Sequence, residues 1–271
     1  MKKNKFDLPS EIEKIIKKFN LNENWNKDII QDIELFENKK FNRESYKRIN
    51  LKELDFVTID GEDAKDFDDA VYCEKSENNW KLFVAIADVA HYVEENSNID
   101  KEAKKRGTSV YFPNYVIPML PEILSNNLCS LRPNEDKYTI VSEILIGNDG
   151  QIKSYKFYNA LIQSSARLTY SQVDEFLKNS EAIKGKNVVK NIQNLFELYK
   201  VLKQSREKRN AVNFDTQEFS FVIGENNEVE GIKNNVRLES QKLIEECMIA
   251  ANVASSLFIK NNKFHSLYRV H

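Results

Sequence analysis

Hydrophobic residues follow two spacings along this chain, one of three to four residues and one close to two. The wider spacing is typical of amphipathic helices and occurs at residues 12–19, 29–36, 189–209 and 238–259. Short apolar and β-branched runs bounded by turn residues predict strands at 56–59, 70–73, 80–87, 139–147 and 152–162. Together the two patterns indicate a chain of the α+β class, with helices before and after a group of strands.

Turn and capping residues support these elements. Asn78-Asn79 and Asn148-Asp149-Gly150 separate neighbouring strands as hairpin turns do. Proline and acids at 7–11 predict the start of a helix. Gly107 predicts the end of a short basic helix at 99–106. The last seven residues, HSLYRVH, have the composition of a strand.

An acidic segment lies between the first two predicted strands. It contains six carboxylates: Asp60, Glu62, Asp63, Asp66, Asp68 and Asp69. Carboxylates held this close cannot all stay ionised without a counter-charge. A loop attached to strands at both ends cannot spread its side chains far, and oxygen ligands favour Mg²⁺ or Mn²⁺ over zinc. The segment is therefore a candidate site for a hard divalent cation.

Two other interpretations of this segment have to be weighed. An acidic surface loop that binds nothing is a common outcome for such a sequence. An EF-hand calcium loop needs glycine at its sixth position and glutamate at its twelfth. Here Gly61 directly follows Asp60, and the twelfth position counted from Asp60 is Val71. The calcium loop is excluded, whereas the solvated loop stays open on these residues alone.

The segment IDGEDAKDFDDAV resembles the signature of the ribonuclease II and ribonuclease R family, the 3′-to-5′ exoribonucleases that share the RNB catalytic domain. Four more segments resemble successive blocks of that domain in the same order: VAIADVAHYV, RGTSVYFPNYVIPMLPEILSNNLCSL, KFYNALIQSSARLTY and LIEECMIAANVA. The resemblance runs from about Phe56 to His271, and the sequences of these segments are more similar to ribonuclease R than to ribonuclease II. It implies an RNB-type fold, with a mixed, largely antiparallel sheet flanked by helices.

The resemblance also implies a reaction, the hydrolysis of single-stranded RNA from its 3′ end to nucleoside 5′-monophosphates with Mg²⁺, or with Mn²⁺ in its place. Asp60, Asp66, Asp68 and Asp69 match the family's four aspartates, and the D-x5-D-x-DD spacing is intact. Asp60 and Asp69 are expected to be direct metal ligands. Asp66 is expected to hold a second metal or its waters, and Asp68 to serve turnover more than RNA binding.

Three other residues match RNA-contacting positions of the family: Tyr111, Phe214 and Glu245. Tyr111 is expected to stack on the RNA near the scissile end, and Phe214 to close the base stack from the other side. Stacking contributes about 1–3 kcal/mol per base and is indifferent to sequence. Glu245 is expected to contact the 3′-terminal nucleotide. Without the resemblance, Tyr111 would be assigned to the rim of the core and Glu245 to a solvated helix face.

Composition narrows the cellular setting. With 40 basic and 42 acidic residues the net charge is −2, so a grip on RNA has to come from a local patch or from other domains. The three cysteines lack the paired spacing of a disulfide framework or a zinc site. The sequence shows neither the apolar core of a signal peptide nor an 18-residue apolar run. We expect a cytoplasmic protein without membrane contact.

The resemblance divides the chain into a helical linker at residues 1–55 and the N-terminal portion of an RNB catalytic domain at 56–271. In the family the domain continues into an arginine-bearing segment and is joined to RNA-binding barrels, so the expected full-length protein has both and acts as a monomer. The alternative function is a catalytically inactive RNB-fold protein or fragment that binds RNA or regulates. The intact aspartates favour the enzyme, and the missing arginine segment favours the alternative.

Overall fold

The computed structural model of the protein describes residues 7–38, 47–179, 183–211, 218–224 and 228–269. They form two compact units. The sheet unit comprises the described residues of 42–92, 124–213 and 237–271, and the helical unit comprises those of 1–41, 93–123 and 214–236. The domain boundary expected between residues 55 and 56 stays a prediction.

Eleven strands and six α-helices are present in the described residues. The strands are β1 (Ile49–Asn50), β2 (Val57–Asp60), β3 (Asp69–Ser76), β4 (Asn79–Ala87), β5 (Val110–Phe112), β6 (Tyr115–Ile117), β7 (Asp136–Gly147), β8 (Ile152–Gln163), β9 (Ala166–Thr169), β10 (Glu218–Ile223) and β11 (Val229–Asn235). The helices are α1 (Leu8–Phe19), α2 (Lys27–Asn38), α3 (Asn98–Arg106), α4 (Tyr170–Asn179), α5 (Lys186–Lys208) and α6 (Glu239–Asn261).

The sheet unit is built on seven strands in the order β1-β8-β7-β4-β3-β2-β9. The pairs β1–β8 and β2–β9 are parallel, and the other neighbours are antiparallel. The hairpin turns predicted from the sequence join β3 to β4 and β7 to β8. This confirms the mixed, largely antiparallel sheet flanked by helices that the resemblance implied.

The core of the sheet unit lies between one face of the sheet and helices α4, α5 and α6. Alternate residues of β3, β4 and β7 supply the sheet side of this core, as the period of two requires. The helices contribute the facing residues at helical spacing. Fully buried members include Val71, Leu82, Val84, Ile144, Leu195, Leu198 and Leu243. Each side chain of this kind contributes about 1.5–3 kcal/mol through its removal from water.

Helix α5 completes the hydrogen bonding of β3 where its neighbour β2 is too short to do so. The Asn191 side-chain oxygen accepts from the Cys73 amide at 2.9 Å, and its amide nitrogen donates to the carbonyls of Val71 and Asp55. Asn194 donates to the Cys73 carbonyl at 2.9 Å. Both asparagines are buried. Two side-chain amides therefore act as a substitute strand along this part of β3.

The helical unit contains α1, α2, α3 and the hairpins β5–β6 and β10–β11. Arg106, the last residue of α3, holds several of its segments together. Its guanidinium lies 3.7 Å from the centre of the Trp25 ring, pairs with Glu102 at 3.0 Å, and donates to the carbonyls of Pro118 and Asn24. The basic end of α3 is therefore a packing element of this unit.

The predicted helices and their caps are confirmed, with one error among the strands. Gly107 ends α3 in the left-handed conformation, with φ at 74°. Asp7 caps α1 by accepting from the Ser10 amide. The strand expected at 265–271 is wrong for the residues that the structure describes, since 264–269 are exposed and have no strand structure. A strand needs a sheet edge to pair with, and its composition alone does not supply one.

Cys73, Cys129 and Cys247 are buried free thiols. Among the residues described, no helix is both long enough and apolar enough to cross a membrane.

The asparagine contacts predict a large effect on stability. Asn191→Ala should lower the free energy of unfolding by about 2–4 kcal/mol, because it leaves a buried amide and buried carbonyls without partners. Urea unfolding measures this through the midpoint at constant slope. The control is Gln193→Ala, which removes an exposed amide side chain from the same helix and should cost less than about 0.5 kcal/mol. Equal losses in both variants would contradict the assignment.

Candidate active site

The acidic loop is residues 61–68, and two adjacent strands hold its ends. Asp60 is the last residue of β2, and Asp69 is the first residue of β3. The Asp68 carbonyl still accepts from the Ala87 amide at 2.9 Å, so the β3–β4 ladder begins at the loop itself. Glu62 and Asp63 form the exposed turn of the loop. The four family-matched aspartates are thus brought to one end of the sheet.

Arg167 holds the first half of the loop from the neighbouring strand. β9 pairs in parallel with β2, and Arg167 stands opposite Thr58. Its Nη2 atom donates to the carbonyl oxygens of Gly61 at 2.8 Å and Glu62 at 2.7 Å. Bonds from a charged donor are about twice as strong as neutral ones. Arg167 therefore ties the turn of the loop to the edge of the sheet.

Ser130 holds the second half of the loop from the other side. Its hydroxyl donates to the Lys65 carbonyl at 2.8 Å and accepts from the Phe67 amide at 3.1 Å. The Leu131 amide donates to the Phe67 carbonyl at 2.8 Å. Ser130 is fully buried and Phe67 nearly so. The loop backbone is consequently fixed at both ends and at two points between them.

Three carboxyl groups at this site, those of Asp60, Asp68 and Asp69, have a raised pKa. Partial burial is the main cause for Asp60, whose pKa rises further through Asp66, while the Gly61 amide and Arg167 act in the opposite direction. The pKa of Asp68 rises through loss of water and the charges of Asp66 and Asp60. Burial and the charges of Asp60 and Asp68 raise the pKa of Asp69 to about 6. The loop is an electrostatically costly arrangement in the absence of a cation.

Tyr170, the first residue of α4, feels the same charge. Burial raises the pKa of its phenol to about 12, with further contributions from Asp60 and Asp69. Helix α4 follows β9 without a break, which places this phenol near both ends of the acidic loop. The field of the carboxylates therefore extends to the start of α4.

The donor chemistry of the loop fits a hard divalent cation. The four matched aspartates offer only oxygen ligands, which suit Mg²⁺ or Mn²⁺. Their mutual repulsion is what a bound cation would relieve. Within the described ranges, however, no three Asp, Glu, His or Cys side chains are gathered around one metal position. The oxygen donors of Asp60, Asp66 and Asp69 are compatible with such a cation, and their assignment as metal ligands stays a prediction.

Sequence reasoning did not identify Arg167, Ser130 or Tyr170 as parts of this site. Arg167 and Tyr170 fall within the family-like block ending ARLTY, and Ser130 within LCSL. A polar residue between apolar ones in LCSL is a weak signal of a buried hydrogen bond. None of the three carries a local signal for the acidic loop, because the contacts span more than sixty residues.

Glu245 is held by arginines in this structure. It lies on α6 and forms ion pairs with Arg206 of α5, at 3.6 Å, and with Arg237. Arg206 also pairs with the buried Glu246 at 2.8 Å. The basic end of α5 therefore contacts acids of α6. Contact between Glu245 and the 3′-terminal nucleotide stays a prediction.

The two aromatic predictions have different outcomes. Tyr111 lies on β5 in the helical unit, and 70% of its surface is exposed. This exposure argues against a core residue. Phe214 lies outside the described residues. Stacking on RNA stays a prediction for both.

Asp88 has a structural partner. It forms a buried ion pair with Arg48 at 2.6 Å, and the Arg48 guanidinium lies 4.2 Å from the centre of the Tyr138 ring. A buried charge needs a paired and hydrogen-bonded counterpart, and Arg48 supplies it, so the ion pair accounts for Asp88 as a structural residue.

The raised pKa of Asp69 predicts a pH-dependent stability. A carboxyl whose pKa is higher in the folded chain favours folding when protonated. Its contribution is complete below the unfolded value of 3.8 and is lost as the pH rises through about 6. Without divalent cations, Asp69→Asn should raise the free energy of unfolding at pH 7 by up to about 3 kcal/mol. The gain should shrink as the pH falls towards 4.

Urea unfolding from pH 4 to pH 8, in the presence of a chelator, measures this difference. Asp63→Asn controls for the loss of one charge from the loop, since Asp63 is exposed, and at pH 7 it should change stability by less than about 0.5 kcal/mol. A gain for Asp69→Asn that is independent of pH would refute the explanation.

The ion pairs between α5 and α6 predict that two substitutions lower stability by different amounts. Arg206→Met should lower the free energy of unfolding by about 2–4 kcal/mol, because it leaves the buried Glu246 without its counter-charge. Glu245→Ala should cost less than about 1 kcal/mol, because its side chain is one-third exposed and its pairs are screened. Thermal or urea unfolding of the two variants tests the difference, and similar losses would count against it.

Comparison with known proteins places the chain in a family. The RNB domain family matches residues 48–271. Ribonuclease R of Vibrio parahaemolyticus is 48% identical over 227 residues, which make up 83% of this chain and 27% of that protein. Ribonuclease R of Escherichia coli is 47% identical over 83% of this chain and 28% of its own length. The chain thus spans little more than a quarter of these relatives.

A solved structure shows the same fold. Mycoplasma genitalium RNase R in complex with ribose-methylated single-stranded RNA matches with a TM-score of 0.92 at 36% identity, over 98% of this chain and 42% of that chain. The sheet order, the aspartate spacing and these similarities agree with one another. The chain belongs to the RNB-domain family that includes ribonuclease R.

Proposed function

We propose that this chain carries the acidic part of the catalytic site of a 3′-to-5′ exoribonuclease, which hydrolyses single-stranded RNA to nucleoside 5′-monophosphates in RNA turnover. The observation that carries the proposal is the set of four aspartates, at the family spacing, on a loop fixed by Arg167 and Ser130. The ribonuclease R relatives and the RNA bound to one of them support RNA as the substrate.

The four aspartates have distinct roles in this proposal. Asp60, Asp66 and Asp69 would hold divalent metal ions, Mg²⁺ in the first instance. Metal ions at such a site stabilise the attacking and departing oxygens of an in-line displacement. Asp60 and Asp69 enter the site from two adjacent strands. Asp68 is the residue we assign to turnover, and its greater exposure leaves it accessible to water and substrate.

The raised pKa of Asp69 links its protonation state to metal binding. Asp69 is the most strongly perturbed aspartate of the four, so near neutral pH it would be partly protonated in the absence of a cation. Because ligation requires the ionised carboxylate, a cation held by Asp69 would lower the pKa of this carboxyl, and its proton would pass to water. The site therefore couples metal binding to proton release.

RNA binding is assigned to exposed aromatic groups and to the longer protein. Tyr111 presents most of its ring to solvent, as a stacking platform requires. Phe214 is proposed as the second stacking residue and Glu245 as a contact of the terminal nucleotide. The net charge of −2 leaves most of the attraction for the phosphate backbone to other domains. The three free thiols fit a reducing cytoplasm.

A direct assay separates this proposal from a catalytically inactive RNA-binding protein. The purified chain is incubated with a 5′-labelled single-stranded RNA, with and without Mg²⁺. A magnesium-dependent ladder that shortens from the 3′ end supports the enzyme. The alternative is supported if RNA is bound but not cleaved, both by this chain and by a longer protein that includes it.

The role of Asp68 can be tested by one substitution. Asp68→Asn should lower the cleavage rate by at least about a hundredfold, as the loss of a group acting in the transition state does, while RNA affinity changes less than about threefold. Single-turnover cleavage and fluorescence anisotropy measure the two quantities. Asp63→Asn, which removes an exposed charge from the same loop, should retain the wild-type rate. Substantial cleavage by Asp68→Asn would overturn the assignment.

A further inference from the structure

The turn of the acidic loop depends on one guanidinium from a strand far away in sequence. Arg167 and Gly61 are 106 residues apart, and the β2–β9 register brings them together. A single nitrogen of Arg167 serves the carbonyls of both Gly61 and Glu62. The guanidinium also lies 5.5 Å from the centre of the Phe67 ring, on the far half of the loop. Arg167 thus contacts both halves of the loop.

The hydrogen bonding of Arg167 is specialised for the loop. Its Nη2 atom has two acceptors, whereas its Nε atom is buried and has no hydrogen-bond partner in the part of the chain that the structure describes. A buried donor without a partner is costly. A residue retained only for stability would be expected to satisfy this donor. The hydrogen bonds of this guanidinium to backbone carbonyls are therefore concentrated on the loop.

Ser130 provides an independent hold on the same loop. It contacts the backbone of Lys65 and Phe67, and Arg167 contacts the backbone of Gly61 and Glu62. Asp66 lies between the two residues that Ser130 contacts, and Asp60 directly precedes the first residue that Arg167 binds. Loss of either hold would let the carboxylates separate, because their charges repel one another.

We propose that Arg167 is a positioning residue for the proposed reaction: by binding the carbonyls of Gly61 and Glu62 it keeps the aspartates of the acidic loop close enough to share metal ions. The inference rests on the proposed function for its catalytic consequence. Its structural consequence, a loop that is rigid only while Arg167 is present, can be measured without any activity.

Hydrogen exchange measured by mass spectrometry tests the structural consequence. In Arg167→Met, which keeps the bulk of the side chain but removes its donors, the peptide covering residues 61–68 should exchange about tenfold to a hundredfold faster. Peptides from β4 and α5 should be unchanged. Arg167→Lys should lie between Met and wild type, since an ammonium group keeps the charge and N–H donors but lacks the fixed planar geometry that aims Nη2 at both carbonyls. Arg209→Ala, which removes an exposed arginine of the same unit, is the control and should match the wild type.

The magnesium dependence of RNA cleavage tests the catalytic consequence. Arg167→Met should raise the Mg²⁺ concentration for half-maximal cleavage about tenfold or more, and saturating Mg²⁺ should restore a substantial part of the rate. Ser130→Ala should shift the same concentration in the same direction. Should Arg167→Met fail to fold, Arg167→Lys and Ser130→Ala carry both measurements.

The outcomes separate this inference from the proposed function. Unchanged exchange of the loop in Arg167→Met, or equally faster exchange throughout β3, β4 and α5, overturns the positioning role. An unchanged Mg²⁺ requirement in an active variant overturns it as well. Selective loosening of the loop, in a protein whose wild type does not cleave RNA in any context, upholds the positioning of the loop and removes the nuclease function.

Discussion

The structure of the sheet unit depends on a mismatch between two neighbouring strands. β3 has eight residues and β2 has four, and their register, with Val57 opposite Val71, leaves the last five residues of β3 without a strand on that side. Backbone groups buried without partners would make this edge unstable. Asn191 and Asn194 of α5 supply the missing partners, which also fixes α5 against the centre of the sheet. The mismatch therefore determines where the main covering helix lies.

The acidic loop lies at the other end of this strand pair, where β2 and β3 are level. β2 ends at Asp60 and β3 begins at Asp69, so the chain has to turn at the end of the sheet within eight residues. The backbone of this turn is well supplied with hydrogen bonds, while its side chains repel one another. In the free protein, repulsion between side chains on a rigid backbone lowers stability, and a bound cation would offset that repulsion. The hydrogen bonds from Arg167 and Ser130 hold the loop together against it.

The sequence predicted the local features of this molecule well, because their signals are local. Gly107, Asp7 and the Asn148-Asp149-Gly150 turn mark ends and turns that depend on a few adjacent residues. The aspartate spacing identified the loop, and the strands on either side of it followed from β-branched runs. The parallel pairs β1–β8 and β2–β9 could not be read in this way, because parallel pairing joins segments that are distant along the chain. The contacts of Arg167, Ser130 and Asn191 were missed for the same reason. The strand expected at 265–271 failed because composition does not provide a partner edge.

The long reach of β9 has a consequence for how the protein forms during synthesis. The loop carbonyls leave the ribosome about a hundred residues before the arginine that holds them, as the separation of 106 residues shows. Contacts so distant along the chain form late, because closing a long segment costs entropy before any contact is gained. A nascent chain that has passed Asp69 therefore contains all four aspartates without the arrangement that holds them. The hydrogen bonds from Arg167 form only when β9 completes the edge of the sheet, so the loop reaches its final order after Ser130 and the strands β3 to β8 have been synthesised.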